Sequence, residues 1–185
     1  MNTEEIFCKN INELHDWLES NYKREVGIWL VFLKGKERKF SWDEIVEELL
    51  CFGWIDGRAK SVDGTKSKIW ISPRNPKSGW SAKNKIHIEK LIKEGRMHES
   101  GKLVLQNAKE SGSWNLLDSI ENLEVPEDLN QKLKEFPEAY ENFANFPKSA
   151  KRATLQWIES ARTQKTRNIR ITKTAELASK NIRAI

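Results

Sequence analysis

Apolar positions along the chain change their period several times, and each change marks an element. Ile6 and Phe7 read as a short first strand. Asn10 then opens a helix, with Glu13 three residues on as its capping-box partner and Leu14, Trp17 and Leu18 on one face. Gly27 to Leu33 is continuous, β-branched and aromatic, which predicts a buried strand that Gly35 ends. Ser41-Trp42-Asp43-Glu44 is a second capping box. It opens a helix that carries Trp42, Ile45, Val46, Leu49 and Leu50 at helical spacing and stops at Gly53. Trp54 to about Val62 and Lys66 to Ser72 form the arms of a hairpin around Asp63-Gly64, with Ile69 and Ile71 alternating against Lys68 and Trp70.

Past the hairpin the period becomes helical. Pro73 and Pro76 bracket a loop, and a basic helix runs from Ala82 to Lys93 with Ile88, Leu91 and Ile92 inward, stopped by Gly95. A further helix spans Glu99 to about Lys109, and Gly112 breaks it. Pro126 suits a first helical turn ahead of Leu129 and Leu133, and Pro137 and Pro147 cut the rest of the chain into short helices. The longest runs from Lys148 to Arg162 with Ala150, Thr154, Trp157 and Ala161 on one face. The last starts near Lys165, with Ile171, Ala175, Ala178 and Ile182 in register. Gly112 to Val125 is the candidate boundary. The expected fold is α+β: a small antiparallel-rich sheet with helices over residues 1–118, then a helical C-terminal bundle over 119–185.

Composition sharpens this picture. Of 185 residues, 32% are charged, above the roughly 25% of an average globular chain, yet eight Trp and seven Phe supply large apolar side chains and argue against disorder. No apolar run approaches the ~20 residues of a membrane span. Met1 to Asn10 carries Glu4 and Glu5 and no apolar stretch, so no signal peptide is expected. Two cysteines, Cys8 and Cys51, make no disulfide framework and point to a reducing compartment. The net charge of +5 hides segregation: residues 1–57 and 103–147 are net −5 and −6, whereas 58–102 and 148–185 are each net +8. Two basic segments that met would make one positive face for a polyanion; the alternative is acidic blocks packed beside them.

Several blocks match a known family in order: Cys51-Phe52-Gly53-Trp54-Ile55-Asp56-Gly57, Pro73-Arg74, Trp80-Ser81-Ala82-Lys83-Asn84, Gly95-Arg96-Met97, Trp157-Ile158, Ala161-Arg162 and Thr166-Arg167-Asn168-Ile169-Arg170-Ile171. Together they resemble the bacterial YdeI/OmpD-associated family, also called bacteriocin-protection proteins, from about Phe7 to Leu177. The C-terminal helical block resembles the part that defines the family, and the N-terminal part its common partner region. The resemblance implies a bacterial, cytoplasmic protein with a role in protection. The family name describes an association rather than a reaction, so no catalytic residue is carried over. Arg162 departs from the Lys often found there and keeps the charge.

The segment Pro73 to Asn84 has the parts of an anion site. Two prolines and a glycine shape the loop, Ser78 or Ser81 would cap the next helix, and the exposed first-turn N–H groups of that helix favour an anion. Arg74, Lys77 and Lys83 add charge, Asn75 and Asn84 add polar groups, and Trp70 and Trp80 flank the loop where a base or sugar could stack. The plainer alternative makes the serines ordinary caps, the tryptophans core and Arg74 a partner of Asp56. Asp56, two residues before Arg58, could orient Arg58 or Arg74, act as a general base, or form a structural ion pair. Arg167 and Arg170, with Lys173 a turn on, share a helix face at phosphate-ladder spacing that also suits a solvated face.

Other chemistries find little support. His15, His87 and His98 are scattered, and neither Cys sits in a C-x-x-C pair, so no metal site is expected. There is no GxxxxGK[ST] or GxGxxG loop for a nucleotide cofactor, and no cofactor is expected. The expected function is non-catalytic binding of a phosphate-bearing or polyanionic ligand, nucleic acid included. The ligand residues would be Arg58, Arg74, Asn75, Lys77, Ser78, Trp80, Ser81, Lys83, Asn84, Arg167 and Arg170, with Asp56 orienting them. The alternatives are a protein-interaction factor with a protein partner, and an enzyme for a small anionic substrate built around Asp56 and Arg74.

Overall fold

In the computed structural model, which describes residues 4–185, four strands form one sheet: β1 (Glu5–Phe7), β2 (Ile28–Leu33), β3 (Trp54–Ser61) and β4 (Lys66–Pro73), in the order β1-β2-β4-β3. Residues 1–3 of the segment in which no signal peptide is expected lie outside the described residues. β1 runs parallel to β2, while β4 is antiparallel to β2 and to β3. The two parallel strands are joined by α1 (Ile11–Asn21), since a parallel return needs a crossover. Asn10 caps α1, its side chain accepting the Glu13 N–H at 3.0 Å, and the Glu13 carboxylate reaches back to Lys9 N at 2.8 Å. The Ser41–Glu44 capping box of α2 (Trp42–Cys51) is complete in both directions. Asp63 accepts N–H bonds from Thr65 and Lys66, which fixes the β3–β4 turn.

Strand alternation then decides what faces what. Ile28, Leu30 and Phe32 of β2 and Ile69 and Ile71 of β4 join one core with Leu14 and Leu18 of α1 and Ile45 and Leu49 of α2. That core also takes Ile88 and Leu91 of α3 (Ala82–Lys93), and Leu105 and Ala108 of α4 (Glu99–Glu110). All four helices therefore feed the same face of the sheet. Register places Trp29 opposite Trp70 and Val31 opposite Lys68 on the other face, outside that core.

The chain divides into two compact units, one ending at Leu116 and one comprising Leu117–Ile185. The second unit is helical: α5 (Asp118–Glu121), α6 (Glu127–Lys134), α7 (Ala139–Asn145), α8 (Lys148–Glu159) and α9 (Gln164–Ala178). Its own core gathers Leu129, Leu133, Phe143, Leu155, Ile158 and Ile171 with Ala175 and Ala178. The α+β class with a helical C-terminal region is thus the observed one.

Three side-chain expectations change. Ile92, expected inward, is 52% exposed, because the buried stripe of α3 runs through His87, Ile88 and Leu91 and leaves position 92 at its edge. The stripe of α8 runs through Ala150, Thr154, Leu155 and Ile158, so Trp157 is only half-buried. Ile182 is exposed, since α9 ends four residues earlier at Ala178.

One close approach locks the first unit. A Cβ built at Gly101 would lie 2.1 Å from the Cys51 carbonyl oxygen, so α4 crosses the end of α2 at a distance only glycine allows. Overpacking at such a point costs about 1–3 kcal/mol. Gly101→Ala is therefore expected to lower the urea midpoint by that equivalent, whereas Gly64→Ala, with open space around it, leaves the midpoint near wild type. Equal midpoints for the two variants would contradict the crossing.

Candidate functional site

The loop from Pro73 to Ser81 is built by local bonds. Asn75 Oδ1 accepts the Lys77 N–H at 2.9 Å, and Ser78 donates both its N–H and its hydroxyl to the Asn75 carbonyl at 3.0 and 2.7 Å. Ser81 caps α3, accepting the Asn84 N–H at 3.3 Å. Ser78 is thus a turn residue and Ser81 the helix cap. Arg74 N donates to Gly53 O at 3.0 Å, pinning the loop to the glycine turn that ends α2.

Arg74 is the unusual member. It is 8% exposed, its guanidinium lies 3.8 Å from the centre of the Trp80 ring, and Nη2 donates to Gly79 O at 2.5 Å. Nε is buried with no hydrogen-bond partner, and among the described residues no carboxylate pairs with the group. Burial accordingly pushes the guanidinium pKa down to about 10. Trp80, 2% exposed, packs on Trp114 with ring centres 5.1 Å apart, and Lys85 and Lys109 lie over the Trp114 ring. The result is a column of two indoles with cations at both ends.

The other predicted residues have separate surroundings. Lys77 is exposed and forms no ion pair among the described residues. Lys83 donates to Asp43 Oδ1 at 2.5 Å, and that hydrogen bond is the leading reason the Asp43 carboxyl sits below its usual range. Asp56 accepts the Trp42 indole N–H at 3.2 Å and forms no ion pair with Arg58 or Arg74. Arg58 lies on the outer sheet face, over the Trp29 ring. Arg167 and Arg170 belong to the second unit and are engaged there. Arg167 grips Asp128 at 2.6 and 3.1 Å and Glu159 at 2.9 Å, which raises its pKa and lowers that of Asp128. Arg170 donates to the Trp157 carbonyl and to Ser160 Oγ. These two arginines tie α9 to α6 and α8.

A second constellation escaped the sequence reading. Glu47 and Glu48, each 5% exposed, sit on the inward side of α2. Glu47 accepts from Lys90 Nζ at 2.8 and 2.9 Å, faces His87 Nδ1 at 3.0 Å and receives Arg96 at 3.3 Å. Glu48 takes Arg96 at 3.2 Å and His15 at 2.6 Å. Adjacent glutamates in a helix read as a polar face; only α1, α3 and Arg96 arriving on that side make them interior. Cys51 lies beside this cluster, and burial pushes its thiol up to about 12, as it does that of Cys8, so both are poor nucleophiles. Among the described residues no group of acidic, His and Cys side chains has the arrangement of a metal site.

Burial alone would raise the Glu47 carboxyl, but the hydrogen bonds and charges of Lys90 and His87 outweigh it and hold it below the usual carboxylate range. A carboxyl lowered by folding stabilises the fold above its unfolded value, near 4.3, and that contribution disappears as pH falls through the folded value. Glu47→Gln is expected to cost about 1–3 kcal/mol at pH 7, less than a fully buried pair because the Lys90 and Arg96 heads are partly solvated. In urea unfolding the gap from wild type should narrow toward pH 3; a gap constant with pH would contradict the assignment.

Comparison with known families mirrors the two-unit division. A family model described as bacteriocin-protection, YdeI or OmpD-associated matches residues 122–181. A model described as a domain of unknown function (DUF8412) matches residues 6–104. No curated protein and no solved structure matches the chain.

Proposed function

The chain belongs to the family of that domain of unknown function, whose model spans more than half of it, and carries the YdeI/OmpD-associated, bacteriocin-protection segment at residues 122–181; on this premise we propose that it is a non-catalytic cytosolic binding protein for a phosphate-bearing ligand. The single observation behind this reading is Arg74. A cation taken out of water without a counter-ion is costly. The Trp80 face and the Gly79 carbonyl offset only part of that cost. An anion at the loop would supply the missing charge, with Lys77 as a second cation and the N-terminus of α3 as a source of N–H groups. Arg58, Asn75, Ser78, Ser81, Lys83 and Asn84 shape or surround the first unit's surface in this reading, while Arg167 and Arg170 hold the second unit together. The cytosolic assignment rests on the two free, buried thiols.

A second reading, a protein-interaction factor, is favoured by the apolar groove of about 660 Å³ between the end of α3 and α4, lined by Ile92, Met97 and Leu105 with Lys102 and Lys109 at its edge.

Calorimetric titration of the folded protein with inorganic pyrophosphate separates the two. The phosphate reading expects a saturating heat that shrinks as NaCl is added. It also expects roughly tenfold weaker binding in Lys77→Ala and a larger loss in Arg74→Lys, since a charge-assisted hydrogen bond contributes about 1.5–3 kcal/mol. No heat, or affinity unchanged in both variants, would contradict it and leave the groove as the functional surface.

A further inference from the structure

The face of the sheet turned away from the helices has a chemistry of its own. Its centre is Trp29, paired in register with Trp70 and packed edge-on against it with ring centres 5.4 Å apart. Arg58, Lys60 and Lys68 lie over the Trp29 ring at 5.6, 5.4 and 5.0 Å from its centre. Lys66 lies 5.3 Å from the centre of the Phe7 ring, and Phe7 itself is 42% exposed. Glu5 on this face pairs with Lys68, and Asp63 in the adjoining turn acts electrostatically on Lys66. Lys60 and Lys68 are directly opposite each other on β3 and β4, a like-charge pairing that destabilises a sheet.

We propose that this face binds single-stranded nucleic acid, with phosphates on Arg58, Lys60, Lys66 and Lys68 and unpaired bases against Phe7 and Trp70. Arg58, Lys60, Lys66 and Lys68 outnumber the carboxylates that act on them, Glu5 on Lys68 and Asp63 on Lys66, and the surplus calls for an anion. Lys66 and Lys68 stand at alternate positions on β4, about 6.8 Å apart in a regular strand, and Lys60 faces Lys68 from β3, a row that calls for a repeating anion rather than a lone phosphate. Phe7 is exposed and Trp70 half-buried, which offers planar apolar surface between the charges. Anionic groups alternating with planar rings is the chemistry of a single strand; in a duplex the bases are stacked away from such a surface. Trp29 serves as the platform that holds three cation heads together against their repulsion. None of these residues belongs to the Pro73–Ser81 loop, so the sheet face and the phosphate loop stand or fall separately.

The test is fluorescence anisotropy of a labelled oligothymidylate of about fifteen nucleotides with the full chain. Four phosphate contacts predict that affinity falls roughly fiftyfold between about 50 and 200 mM NaCl. Lys60→Glu combined with Lys66→Glu should weaken binding at least roughly tenfold, and Phe7→Ala, at an exposed position, about tenfold through lost stacking. Lys77→Glu, in the loop, should leave affinity unchanged. Circular dichroism of each variant checks that the fold is intact, and Phe7→Ala keeps the test informative should the double variant misfold. The inference is overturned by no binding, by equal affinity for a duplex of the same length, by unchanged affinity in the sheet variants, or by a loss confined to Lys77→Glu.

Discussion

The side-chain alternation of β2 and β4 is the constraint on which the first unit depends. Ile28, Leu30, Phe32, Ile69 and Ile71 must meet the four helices, because together they make its core. A strand has only two faces, so Trp29, Trp70, Lys66 and Lys68 must point the other way. A one-residue slip would drive lysines into the core and isoleucines out. The register is therefore strongly fixed, and with it the aromatic and cationic face.

Cations resting on indoles recur through the molecule. Arg74 lies on Trp80, Lys85 and Lys109 on Trp114, three cations on Trp29, and Arg170 on Trp157. An aromatic face holds a cation without neutralising it. Carboxylates do the opposite. Glu47 and Glu48 absorb Lys90 and Arg96, and Asp128 and Glu159 absorb Arg167. The cations of the sequence thus divide by partner: Lys90, Arg96 and Arg167 are taken up by carboxylates, Lys68 and Arg170 have a ring and a further partner, and Arg58, Lys60 and Arg74 rest on rings with no carboxylate pairing among the described residues. The last of these, all in the first unit, are where ligand chemistry is to be sought.

Local signals were legible in the sequence. Asn10, Ser41 and the Asp63-Gly64 turn were readable because a cap or a tight turn is decided within a few residues. The bounds of α3 could be read from Ser81 and Gly95 for the same reason. Features that depend on distant partners were not legible. Glu47 and Glu48 are interior only because His87, Lys90, Arg96 and His15 reach them from other elements. The loop around Arg74 could be named from its prolines and glycine, but not the fact that Arg74 would be buried on Trp80 without a carboxylate. Nor could spacing tell that Arg167 and Arg170 would be taken up by Asp128, Glu159 and the Trp157 carbonyl.

Ring-held cations of the first unit, rather than the arginines of the second, are the groups assigned to anionic ligands. The indole N–H resonances of the eight tryptophans, tracked by two-dimensional NMR during titration with pyrophosphate and then with oligothymidylate, test this most directly. The expected result is that the Trp80 signal moves with pyrophosphate and the Trp29 and Trp70 signals with the oligonucleotide, while Trp157 stays in place. Movement of Trp157 with either ligand while the first-unit signals stay fixed, or no movement at all, would contradict it.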